Sequence, residues 1–172
     1  QVMNGALALR AAEALSGQLF FTPEQIRDGI AHTTWQGRME VIRPGVIVDG
    51  AHNDDGVARF IETAADFQKD YKIVLLFSAV DDKDYPDMIR RICTGIHPEA
   101  VVTAKIRDER AVDAQVLADI FRENGCGRVE ARDSVEEAFA LAEGLRGDGL
   151  LFCVGSLYLV GEIKGSLSGH QS

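Results

Sequence analysis

Long apolar runs are missing from this chain. The longest, around Ile73–Phe77 and Leu150–Val154, fall far short of the ~20 residues a membrane helix needs. A secretory leader is missing as well: the amino terminus, QVMNGALALRAAEAL, has no basic stretch ahead of its apolar part, and Arg10 and Glu13 interrupt it. Basic excess is lacking. Lys and Arg number 18 against 27 Asp and Glu, a net charge of −9, which opposes general binding to nucleic acid because phosphate backbones demand basic surface. That balance still leaves room for a nucleotide held at one local arginine. Cysteine is scarce: Cys93, Cys126 and Cys153 stand far apart in the chain with no CxxC spacing. Buried free thiols in a reducing compartment are the expectation, which places the protein in the cytoplasm.

Several catalytic signatures are also absent. No GxGxxG marks a dinucleotide site, and no GxxxxGK[ST] loop is present to cradle a triphosphate. The four histidines form no HExxH or zinc pattern, and no GxSxG elbow occurs. Internal repeats and low-complexity segments are lacking too. The chain opens on Gln rather than Met, so a processed protein or an excised fragment is expected.

What remains is an ordinary globular composition, 46% hydrophobic and 26% charged over 172 residues, enough for one domain with a core and a short appendage. Leu7, Ala8, Ala11, Ala12 and Leu15 recur at helical spacing from Asn4 to Leu15, with Gly17 as a stop. Thr22-Pro23-Glu24-Gln25 predicts a capped helix start, with Pro at the first position and Gln25 closing a capping box. After Trp35 the pattern turns to alternating strand and helix. Met39–Ile42 and Val46–Val48 flank Pro44-Gly45 as a hairpin. Strands are then predicted at Lys72–Phe77, Ala100–Ala104, Arg128–Ala131 and Leu150–Val154. Helices are predicted at Gly56–Phe67, Pro86–Ile92, Asp113–Phe121, from Ser134 onward, and near Tyr158–Ile163, before a frayed polar tail from Gly165. Repeated βα units imply a Rossmann-like, three-layer αβα domain with a mainly parallel sheet, preceded by a short helical segment. Ligands then belong at the carboxyl ends of the strands, in the loops after Val48, Phe77 and Val154.

The densest constellation sits there. Asp49-Gly50-Ala51-His52-Asn53 offers a carboxylate at a strand end, small residues that let a ligand approach, and two further polar side chains. Asp49 can accept from a ribose while His52 and Asn53 face a second ligand; the plainer alternative is that Asp49 caps the next helix and His52 is a satisfied loop histidine. Upstream, Gly37-Arg38 can present a planar guanidinium to phosphate oxygens, or Arg38 is a surface residue at a strand's start. Asp81-Asp82-Lys83-Asp84 offers metal or cation ligands, with Asp84 better read as a helix cap. Ser156, after Gly155, sets a hydroxyl at a helix start where an anion binds, or serves as an N-cap.

In order along the chain, WQGRMEVI, VIVDGAHN, LLFSAVDDKD, Val102-Thr103 with Arg110-Ala111 beyond, and CVGSLYLVGEIK resemble the folylpolyglutamate synthase and dihydrofolate synthase family of the Mur ligase superfamily. The resemblance implies that residues 1–34 are the terminal helices of a central ATPase domain and 35–172 a Mur ligase-type carboxy-terminal domain. It implies ATP-dependent addition of L-glutamate to folate through an acyl phosphate, and leaves open whether dihydropteroate is also a substrate. Position by position, it implies Asn4 at adenine, Arg38 at the phosphates, Asp49 at the ribose, and His52 and Ser156 at the incoming glutamate. Arg38 and His52 become the expected catalytic residues. Gln36 departs from the family, where Pro is usual, and loosens the turn before Arg38. ATP and Mg2+ are the implied cofactors, with the P-loop and metal ligands in a preceding domain, so these residues alone are expected to be inactive. ATP, L-glutamate and folate are the expected partners of a monomer. Two readings from other classes stand beside this one: a metal-dependent hydrolase using Asp49, His52, Asp54 and the Asp81–Asp84 cluster, and a non-catalytic α/β interaction module. Neither explains the spacing from WQGR to DGAHN.

Overall fold

The computed structural model of the chain describes residues 2–15 and 21–169. Two compact units divide between Gln36 and Gly37. The first holds α1 (Val2–Ala14) and α2 (Pro23–Ala31). Thr22 caps α2 as its sequence demands: its hydroxyl accepts from Gln25 N at 3.2 Å, and the Gln25 side chain accepts from Thr22 N at 2.9 Å. The stop expected at Gly17 lies outside the described residues.

The second unit runs β1 (Glu40–Arg43), β2 (Val46–Asp49), α3 (Asp54–Phe67), β3 (Ile73–Phe77), α4 (Tyr85–Gly95), β4 (Ala100–Ala104), α5 (Ala114–Glu123), β5 (Val129–Arg132), α6 (Val135–Arg146), β6 (Leu150–Val154) and α7 (Leu157–Gly169). The strands form one sheet in the order β1-β2-β6-β3-β4-β5. Every pairing is parallel except the β1–β2 hairpin. In that hairpin Pro44 is followed by Gly45 at φ 76°, the pairing a type II turn asks for. Such turns splay their strands, and the ladder slips between Val41 and Arg43.

Chirality explains the layers. α3, α4 and α5 each carry the chain one way across the sheet, and α6 carries it back so that β6 enters between β2 and β3. Right-handed crossovers then require α6 to lie on the opposite face. The two cores agree. Ile47, Leu75, Phe77, Val101 and Phe152 pack under α3, α4 and α5, while Val48, Val74, Leu76, Val102 and Cys153 pack under α6 and α7. Strands covered on both faces read as unbroken apolar runs, which is why β3 and β6 were legible without alternation.

Three features differ from expectation. α3 begins at Asp54 because Asn53, not Asp49, is the cap, its side chain accepting from Gly56 N at 2.9 Å. α7 continues to Gly169 instead of fraying from Gly165. Leu167 packs on the core there and Lys164 pairs with Glu40 at 2.7 Å, so tertiary contacts extend a weak local signal. The cysteines differ most: Cys153 is buried, but Cys93 and Cys126 are only half-buried and their sulfurs lie 3.3 Å apart. A β-sheet fold closes long sequence separations that spacing rules do not see. Among the described residues no helix is long and apolar enough to cross a membrane.

Phe152 lies at the centre of the sheet with no exposed surface, edge-on to Phe60 at 5.6 Å and tilted against Phe67 at 5.9 Å. Phe152→Ala should lower unfolding stability by about 3–5 kcal/mol, measured by urea unfolding at constant m; a loss below about 1 kcal/mol would contradict this packing.

Candidate functional site

The register of three neighbouring parallel strands sets Asp49, Val154 and Phe77 in one row. Their following loops, Gly50–Asn53, Gly155–Ser156 and Ser78–Asp84, therefore emerge side by side at the carboxyl edge of the sheet. Close approach is built in. Gly155 has φ 111°, and a Cβ there would run into the Ser78 carbonyl and the Phe77 ring; a Cβ on Gly50 would meet the Leu157 side chain.

Asp49 ties this edge to the segment before β1. It is 6% exposed. One carboxylate oxygen accepts from Ala51 N at 2.8 Å and the other from Met39 N at 2.9 Å. Gly50 N donates to the Gly37 carbonyl at 2.7 Å, and Gly37 N donates to Glu40 at 2.7 Å. Lys164 on α7 holds Glu40 in turn, and this bond, with that from Gly37, keeps the Glu40 carboxyl below its ordinary range. Gly37 and Met39 both take positive φ, 69° and 44°, a conformation costly for Met that these bonds sustain. The clamp presents Arg38, whose side chain is 37% exposed and whose guanidinium stands 3.9 Å from Asp49. That is an ion pair without a hydrogen bond, so the donor fork of Arg38 is not committed to Asp49 and can take a planar anion.

The other expected residues divide. His52 shares a 2.6 Å hydrogen bond between Nδ1 and the Gly50 carbonyl; the carbonyl can only accept, so Nδ1 carries the proton and Nε2 is left as an acceptor. Ser156 is 2% exposed, and its hydroxyl accepts from Tyr158 N at 3.1 Å at the start of α7. Asn4 stands exposed in the first turn of α1, in the other unit. Asn53 is taken up as the α3 cap. The acidic run separates: Asp84 caps α4 by accepting from Asp87 N at 3.1 Å, while Asp82 pairs with Arg110 at 3.1 Å. Asp54 opens α3 and approaches Arg91 at 4.0 Å. Among the described residues no three His, Cys, Asp or Glu side chains are grouped to hold a metal ion. The hydrolase reading needed Asp49, His52 and Asp54 to converge, and these described residues form no such group.

Sequence spacing alone does not find two further residues. Arg110, beyond β4, reaches Asp82, Asp108 and the Tyr158 hydroxyl at 2.9 Å, pinning the loop after β3 and the first turn of α7. No local pattern announces a residue whose partners come from three segments. Ser78 is wholly buried at the end of β3, and its hydroxyl has no partner among the described groups.

Burial raises the Asp49 carboxyl above its ordinary value of 3.8, against the Met39 and Ala51 hydrogen bonds and the Arg38 charge, which pull it down. A folded pKa above the unfolded one means the stability contributed by protonated Asp49 is present below 3.8 and is lost as pH rises through the raised value. Asp49→Asn should remove that slope, seen in unfolding titrations across the acidic range. At neutral pH, Asn keeps one acceptor and turns an amide N–H toward the other donor, which should cost about 1–3 kcal/mol.

Comparison with known proteins follows the same lines. Residues 37–157 match the family described as Mur ligase, glutamate ligase domain. A probable bifunctional folylpolyglutamate synthase/dihydropteroate synthase of Halobacterium salinarum is 34% identical over 95% of the chain, and a dihydrofolate synthase/folylpolyglutamate synthase of Bacillus subtilis is 32% identical over 95%. The chain spans 20% and 38% of their respective lengths. A folylpolyglutamate synthase of Mycobacterium tuberculosis, solved with ADP and AMPPCP, superposes with a TM-score of 0.82 at 28% identity, over 93% of this chain and 38% of its own. With the parallel sheet, the carboxyl-edge loops and a family match that begins at Gly37, the chain belongs to the Mur ligase family, in its glutamate ligase domain.

Proposed function

We propose that these residues are the carboxy-terminal part of an ATP-dependent ligase that adds L-glutamate to folate through an acyl phosphate. The observation that carries this reading is the clamp at Asp49, which projects the Arg38 guanidinium from the carboxyl edge of the sheet. The Bacillus subtilis relative is named for this activity, and the Mycobacterium tuberculosis structure holds ADP and AMPPCP. In this reading α1 and α2 are the last helices of a central ATPase domain, and Asn4 meets adenine. The 172 residues contain no GxxxxGK[ST] segment, so the phosphate cradle is supplied by other residues of the working enzyme. In this reading Mg2+, like the phosphates' cradle, is held by other residues of the working enzyme.

The chemistry assigned to this part is positioning and charge. Phosphoryl transfer spreads negative charge over the transferring oxygens, and a guanidinium placed beforehand neutralises it without reorganising. Asp49 has about four lone-pair sites and uses two on backbone donors, so a ribose hydroxyl can take another. His52 offers Nε2 as an acceptor to the ammonium or amine of glutamate, and Ser156 lies at the α7 amino terminus, where a carboxylate is favoured. Closure of this part over ATP would exclude water from the acyl phosphate. The enzyme acts in the cytoplasm as a monomer in this reading.

In the ligase containing these residues, phosphate release should depend on both folate and L-glutamate. Arg38→Ala should lower kcat by about 100–1000-fold, and Arg38→Lys should restore little because an ammonium lacks the bidentate fork. Glutamate-independent turnover, or an unchanged kcat in Arg38→Ala, would overturn the assignment. Ligation by the 172-residue chain alone would overturn the need for a cradle elsewhere.

A further inference from the structure

We propose that Cys93 and Cys126 form an oxidation site that closes to an intramolecular disulfide when a peroxide reaches it. Cys93 lies in the last turns of α4, and Cys126 in the turn between α5 and β5. They are 33 positions apart in the chain, yet their sulfurs are 3.3 Å apart. Closing to the ~2.05 Å of a disulfide is a small movement. Gly125 and Gly127 flank Cys126 with open space where a side chain would be, so neither neighbour blocks the approach. Both thiols are half-buried, within reach of a small oxidant, whereas Cys153 has no exposed surface.

The pair is also chemically unequal. The hydrogen bond from Cys93 lowers the Cys126 thiol below its ordinary range, while that shared proton and burial push Cys93 up. Cys126 is therefore the thiolate that reacts first. Its sulfur attacks one peroxide oxygen, the O–O bond breaks, and the departing hydroxide leaves as water, giving a sulfenic acid. The Cys93 sulfur then attacks the Cys126 sulfur; the S–O bond breaks, and the hydroxide leaves as water with the Cys93 proton. The sulfurs lose two electrons and the peroxide gains them, so two thiols and one peroxide yield one disulfide and two waters.

The bond would join α4 to the entry of β5 at the amino-terminal ends of the strands. This is the opposite end of the sheet from Arg38 and Asp49, so the bond should tighten the fold without touching that edge. The deciding experiment is treatment of the 172-residue chain with stoichiometric hydrogen peroxide, followed by intact mass and peptide mapping. We expect the loss of two hydrogen masses, one linked peptide pair carrying Cys93 and Cys126, a raised Tm and full reversal by dithiothreitol. In Cys93→Ser, Cys126 should instead be trapped by dimedone as the sulfenic acid, and Cys153→Ser should bridge as the unaltered chain does. Oxygen addition without a bridge, a bridge to Cys153, or only intermolecular dimers would overturn the proposal. The unaltered chain decides this even where a variant folds poorly.

Discussion

Asp49 ends a strand buried along its whole length, and its charge is costly there unless its oxygens are occupied. The two backbone donors that occupy them come from different places, one from the loop after β2 and one from the residue after Arg38. Everything at the carboxyl edge follows from that sharing. Gly37 and Met39 are held at positive φ, the loop 50–53 is turned tightly enough for Asn53 to cap α3, and Arg38 is kept beside Asp49. Asp49 is thus a structural residue, and the ribose contact proposed for it would use different lone pairs of the same carboxylate.

The glycines carry the second constraint. Gly50 gives way to Leu157 at the head of α7, and Gly155 lets β6 turn against Ser78 and Phe77. Those approaches bring three loops to one edge and seat Ser156 beside them, already hydrogen-bonded to its own helix. Arg110 completes the arrangement by joining the loop after β3 to Tyr158. The site is built from short loops on a sheet packed on both faces, which suits the proposed delivery of a charged group to a reaction assembled with other residues.

Much of this was legible beforehand for local reasons. The unbroken apolar runs at β3 and β6, the Pro44-Gly45 turn and the Thr22 cap are local signals, and each produced the expected element. The WQGR and DGAHN segments marked the edge where Arg38 and Asp49 now lie. Less legible were roles that depend on distant partners. Asp49 was open to reading as a helix cap, but the cap is Asn53, because Asp49 is taken up by Met39 and Ala51. The acidic run after β3 reads as a cluster in sequence, yet its members serve separate ends: Asp84 a helix and Asp82 an arginine.

By itself the sequence determined the alternation of strands and helices, the family and the positions of the candidate residues, because those rest on periodicity, turn chemistry and short motifs. Only the tertiary structure decided that β6 lies between β2 and β3, which brings the loops after Asp49, Val154 and Phe77 into one row. It also decided that α7 persists past Lys164, that Arg110 is a link between loops, and that Cys93 meets Cys126. Each of these is a contact between residues far apart in the chain, and it is set by crossover handedness and core packing. No local pattern encodes such a contact, because the energy that forms it belongs to the folded sheet as a whole.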